Sequence, residues 1–90
     1  MSRMDEIRKR LAALDPIQLQ LLDDSAAHAG HAGARSGGGH FRLRIVAAAF
    51  AGKHTVARHR MVYSALQNLM TGDIHALTIT ALTPEESNSL

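Results

Sequence analysis

Apolar side chains recur at Met4, Ile7, Leu11 and Leu14, the spacing of one helix face, with polar residues between them. Ser2 stands at the expected cap and Asp5 three residues on, in the capping-box position. Asp5 with Lys9 and Glu6 with Arg10 form i,i+4 pairs in the favourable order on the wet face. Asp15-Pro16 then stops the helix, because the proline ring disfavours helical geometry in the residue before it. Beyond it the period drops to two. Ile17, Leu19 and Leu21 alternate with Gln18 and Gln20, predicting a half-buried strand that ends at Asp23-Asp24. The alternation resumes from His40, with Phe41, Leu43, Ile45 and Ala47 on one face and His40, Arg42, Arg44 and Val46 on the other. A turn at 50–53 leads to a helix capped by Thr55, running to about Met70 and closed by Gly72, with Val62, Leu66 and Leu69 buried. His59 falls on or beside that stripe, while Arg60, Ser64 and Gln67 point outward. A third strand covers Ile74 to Leu82, with His75, Leu77, Ile79 and Ala81 facing the core. Thr83-Pro84-Glu85-Glu86 opens a short helix in a C-terminal tail over 84–90.

The second and third strands, joined through a helix, make a right-handed parallel crossover, and the first two pair antiparallel. The expected class is α+β, a three-stranded mixed sheet with helices packed on one face. At 90 residues the chain is read as one domain, 1–90. Residues 25–39 hold five of the seven glycines and no large apolar side chain, so a flexible Gly-rich loop is expected there. No window is long and apolar enough to span a bilayer, and the chain is read as cytoplasmic.

The formal charge of +2 conceals an uneven distribution, since no carboxylate lies between Asp24 and Asp73. That stretch carries Arg35, Arg42, Arg44, Lys53, Arg58 and Arg60 and five of the six histidines, which favours an anionic partner or a solvated basic face. With no cysteine, any metal site must use histidine or carboxylate, or borrow sulfur from another molecule. No catalytic triad, phosphate loop or H-E-x-x-H string occurs, and enzyme activity is not expected. The run Gly37-Gly38-Gly39 leads into a strand, whereas phosphate cradles lead into a helix. Gly30-His31-Ala32-Gly33 matches the backbone-clamping G-x-x-G, but that motif joins two helices and this one joins two strands. His28 and His31 are spaced to meet a common ion, or are simply solvated loop residues. His40 and His54 read as solvent-facing, and His59 as a half-buried histidine holding its turn. His75 reads either as a strand-end residue bonded to backbone or as a ligand.

Four strings sharpen this picture: His40-Phe41-Arg42-Leu43, Phe50-x-Gly52-Lys53, Arg58-His59-Arg60-Met61-Val62-Tyr63 and Ile74-His75-Ala76-Leu77. Together they resemble the signature of BolA-like proteins from the first helix to Thr83-Pro84. The resemblance implies a KH-like (type II) fold, α-β-β-α-α-β-α, whose members bind monothiol glutaredoxins and share a [2Fe-2S] cluster with glutaredoxin and glutathione. On that resemblance His75 matches one cluster ligand. The second comes from the loop between the first two strands: His28 when counted from Asp23-Asp24-Ser25, His31 when counted back from His40-Phe41. The resemblance also implies that Lys53, Arg58, His59 and Arg60 form a nucleic-acid or partner-binding surface, with DNA-binding regulation as the alternative function. Alone, the chain is expected as a monomer or weak homodimer.

Overall fold

The computed structural model describes residues 2–25 and 39–89. The expected loop, apart from Ser25 and Gly39, lies outside the described residues, and His28 and His31 with it.

Helix α1 (Arg3–Leu11) forms as its pattern predicts: Ser2 Oγ accepts from the Asp5 amide at 3.1 Å, and Ile7 and Leu11 are fully buried. Arg10 Nε meets Glu6 Oε1 at 3.3 Å. Asp5, however, pairs with Arg8 at 3.6 Å rather than with Lys9, because the i+3 neighbour on a helix surface lies as close as the i+4 one. The helix tightens into a 3₁₀ turn over Ala12–Leu14 and stops at Asp15, which adopts the left-handed conformation (φ 51°) just before Pro16. Ile17 is 64% exposed. Strand β1 (Gln18–Asp23) therefore begins one residue later than the alternation suggests, and buries Leu21.

Strand β2 (Gly39–Val46) is central: it pairs antiparallel with β1 and parallel with β3 (Ile74–Leu82). Phe41, Leu43, Ile45 and Ala47 face the core with Ile7, Leu11, Phe50, Val62 and Leu66. Val46, which shares parity with the arginines, is also fully buried. The C-terminal helix α3 (Pro84–Ser89) reaches that face of the sheet, where Ser87 Oγ accepts from Arg44 Nη2 at 3.3 Å.

A 3₁₀ turn (Ala48–Phe50) and Gly52 at φ 75° turn the chain into α2, Thr55–Leu66. The cap is His54, not Thr55: the His54 carbonyl accepts the first helical bond from the Arg58 amide at 3.0 Å, so Thr55 is already inside the helix. The α-helix ends at Leu66 rather than near Met70. Gln67, at a positive φ (49°), closes it instead of Gly72, and a 3₁₀ segment, Gln67–Thr71, continues to the strand with Leu69 still buried. Helix α3 makes more of the expected tail than a bare end: Thr83 Oγ1 accepts from the Glu86 amide at 3.2 Å, and Glu86 Oε1 accepts from the Thr83 amide at 2.8 Å.

Between β2 and β3 the register shifts by one residue. Gly39 pairs with Ile74 but His40 pairs with Ala76, leaving His75 as the extra residue of a bulge. Gly39 itself lies beneath the Phe41 ring, where an added Cβ would stand 2.5 Å from Phe41 Cε2. Gly39→Ala is therefore expected to lower stability by ~1–3 kcal/mol in urea unfolding. Gly72→Ala, which meets nothing within 4 Å, is the control for a general glycine effect and should change it far less.

Candidate functional site

At one end of the sheet, β1 finishes and β2 and β3 begin, and short polar contacts tie the three together. The Asp24 amide donates to the His40 carbonyl at 2.7 Å, the His40 amide to Ser25 Oγ at 3.0 Å, and the Gly39 amide to the Asp73 carbonyl at 3.0 Å. Asp23 Oδ1 accepts from the Ser25 amide at 2.9 Å, and hydrogen bonds from Ser25 hold the Asp23 carboxyl below its ordinary value. Arg42 Nε reaches Asp24 Oδ2 at 3.0 Å. Ser25 and Gly39, the described residues on either side of 26–38, are thus both held where β3 starts.

His75 stands at that place, exposed. The core-facing position expected from strand parity does not hold, because the bulge takes His75 out of the alternation. Ile74 before it is buried, and Leu77 after it packs against the core. His40, expected on the solvent face, is half-buried with its Nε2 atom shielded from solvent. The two rings lie beside each other, centroids 5.0 Å apart and tilted by 42°. Parity along each strand did not signal this pair, because it depends on the parallel register and the bulge. Among the described residues no cluster of three or more His, Asp or Glu side chains could hold a metal ion by itself. What this end of the fold offers is an accessible imidazole with a second imidazole against it.

The four residues expected on the basic surface separate. Lys53 and Arg60 are exposed and His59 is half-buried. Arg58 turns inward, its side chain only 12% exposed. Its Nε donates to the Lys53 carbonyl at 2.8 Å, Nη1 to the Ala81 carbonyl at 3.0 Å, and Nη2 to Glu86 Oε2 at 3.2 Å, with a further bond from Nη1 to Glu86 Oε1. This guanidinium fastens the turn before α2 and the cap of α3 to the end of β3. Arg60 instead shares a groove of about 720 Å³ with Lys9, Arg10, Leu14, Met61 and Ala65. The cations of α1 join it across the fold, a placement that charge counting along the chain does not register.

The three-stranded mixed sheet and the order of its elements, with the 3₁₀ turn Ala48–Phe50 in place of the first of two helices expected between β2 and β3, are those implied by the resemblance noted above. The family model for BolA-like protein matches residues 11–86. The chain belongs to the BolA-like family. It is 47% identical to SufE-like protein 1, chloroplastic/mitochondrial, of Arabidopsis thaliana, over 94% of this chain and 24% of that protein. It is 39% identical to Protein BOLA1, chloroplastic, of the same plant, over 98% of this chain and 58% of that protein. The chain thus spans about a quarter of the first and little more than half of the second. Among solved structures, the BolA domain of SufE1 from Arabidopsis thaliana superposes with a TM-score of 0.83 at 46% identity, covering 96% of both chains. In this BolA-like chain no described helix is long and apolar enough to cross a membrane.

Arg58 holds the Glu86 carboxyl down from 4.5 to about 2, with further help from the Thr83 amide. A carboxylate whose folded value is depressed contributes stability that is present above its unfolded value and lost as pH falls through the folded one. The stability difference between the wild type and Glu86→Gln should therefore be constant above pH 4.5 and shrink steadily towards pH 2. Urea unfolding at a series of pH values checks this. A gap that persists unchanged to pH 2 would show that the carboxylate charge is not what holds the clasp.

Proposed function

We propose that this chain is a non-enzymatic BolA-like partner that binds a monothiol glutaredoxin and supplies imidazole ligands to a [2Fe-2S] cluster held jointly with that protein and glutathione. The observation that carries the reading is the exposed His75 on its bulge, at the end of the sheet where Ser25 and Gly39 are held. His28 lies three residues beyond Ser25 and His31 six, so extended chain gives them a reach of ~10 Å and ~20 Å from that anchor. Either is close enough in sequence to join His75.

The donor set fits such a group. This chain has six histidines and no cysteine, so it offers nitrogen and the partner's thiolates offer sulfur. When bound, the cluster supplies one-electron redox and transferable iron and sulfide, and imidazole ligation raises its potential relative to all-thiolate ligation. The chain's own residues hold His75 on a strand, clear of the core, while the other ligand is carried by the adjoining segment. Because an imidazole binds metal only in its neutral form, the joint complex weakens as the solution is acidified.

A second reading, binding of duplex DNA, draws on the groove where Lys9 and Arg10 meet Arg60. Arg58 contributes little to it, since its guanidinium is committed to Glu86 and two backbone carbonyls.

Cluster-loaded monothiol glutaredoxin titrated with this chain should change its visible absorption and circular dichroism, saturating at a fixed stoichiometry. His75→Ala should abolish that change, and only the effective one of His28→Ala and His31→Ala should reproduce the loss. Spectra that remain a plain sum of the components would overturn the proposal. Sequence-dependent duplex binding lost in Lys9→Ala plus Arg60→Ala would favour the second reading.

A further inference from the structure

Among the described residues, no strand covers the outer edge of β3. It is an outer strand of nine residues, Ile74–Leu82, with no charged residue and no proline, the features by which sheet edges ordinarily resist pairing with another chain. In a parallel ladder alternate residues turn their backbone groups towards the neighbouring strand. The Leu82 carbonyl accepts from the Ala47 amide, so Leu82, Thr80 and Thr78 bond to β2, and Ala81, Ile79 and Leu77 turn their amides and carbonyls outward. Ala81 confirms the parity, because its carbonyl is taken by Arg58 Nη1. Among the described residues nothing hydrogen-bonds the outward groups of Leu77 and Ile79. Their side chains, which pack against the core, remain only partly buried at this edge.

We propose that this edge pairs with the same edge of a second copy of the chain, antiparallel about Thr78, joining two three-stranded sheets into one of six strands. The free groups decide the register. With Thr78 on the two-fold axis, the amide and carbonyl of Leu77 meet those of Ile79 in the other copy, and the reverse, so every backbone bond at the centre uses a group that is open in one copy alone. The side chains agree with it: Leu77 meets Ile79 on the core side, while Thr78 meets Thr78 and Ala76 meets Thr80 on the open face. The strand itself carries no Asp, Glu, Lys or Arg, and the chain's formal charge of +2 sets only a weak, salt-screened repulsion between copies. A contact confined to one strand pair is small beside the ~1,200–2,000 Å² of a stable interface, so the dimer is weak and depends on concentration.

Sedimentation equilibrium of the full chain, from ~10 μM to ~1 mM, tests this. The weight-average mass should rise from 9.7 kDa towards twice that value. Thr78→Glu and Thr78→Lys each place like charges about 4.5 Å apart, Cα to Cα, across the axis and should each keep the chain monomeric. An equimolar mixture of the two should regain association, now as a heterodimer. Circular dichroism shows whether each variant is folded; Thr78 is exposed and in register with Arg42, so the carboxylate has a cation beside it within its own chain. A wild type that stays monomeric throughout overturns the proposal and leaves the edge to a different partner's strand. Association that neither substitution affects, or folded variants whose mixture fails to associate, overturns it as well.

Discussion

Phe41, Leu43, Ile45 and Ala47 have to leave water together while Arg42 and Arg44, interleaved with them, stay in contact with it. A strand satisfies both demands only when one face is covered and the other is left largely open, and β2 meets them by taking the centre of the sheet. Helices α1 and α2 cover the apolar face with Ile7, Leu11, Val62 and Leu66. The parallel crossover through α2 then sets β3 beside β2, and the start of β3 falls at the end of the sheet where β1 finishes. The site is a by-product of that packing, since burial of one strand's alternate residues decides which chain ends become neighbours.

At that end the register with β2 and the demand for burial conflict. Ile74 and Leu77 both pack inward although an odd spacing separates them, and one extra residue has to be absorbed between them. The bulge does this at His75, which goes outward. Gly39, opposite, admits the close approach because the Phe41 ring occupies the space a Cβ would need. An exposed imidazole at a fixed strand end and a glycine under an aromatic ring are thus two results of one local irregularity. The exposure of His75, on which the ligand role implied by the family resemblance depends, follows from that irregularity and not from the strand's general alternation.

Much of the fold was legible in periodicity alone: the caps at Ser2 and Thr83, the buried faces of α1 and α2, and the alternation of β2 all act within a few residues, where spacing and side-chain chemistry suffice. The departures come from longer range. Parity placed His75 in the core because a bulge leaves no trace in a single strand's pattern. The resemblance put Arg58 on a binding surface, yet its partner Glu86 is 28 residues away and is also half of a capping box. His40 read as solvent-facing, but the parallel register lays His75 against it. Lys9 and Arg10 were assigned to the wet face of α1 with nothing in the sequence to say that Arg60 would share their groove. The candidate ligands His28 and His31 were marked by residue type and by the family resemblance, and the fold adds that the flanking residues Ser25 and Gly39 are held at the end of the sheet where β3 begins.

The central claim is that an imidazole of this chain binds iron directly. It is tested by pulsed EPR of the reduced cluster in the complex with monothiol glutaredoxin, using this chain labelled with ¹⁵N only at histidine. The account predicts ¹⁵N hyperfine couplings of directly coordinated nitrogen, diminished in His75→Ala. A cluster bound in the complex without any such coupling would contradict it.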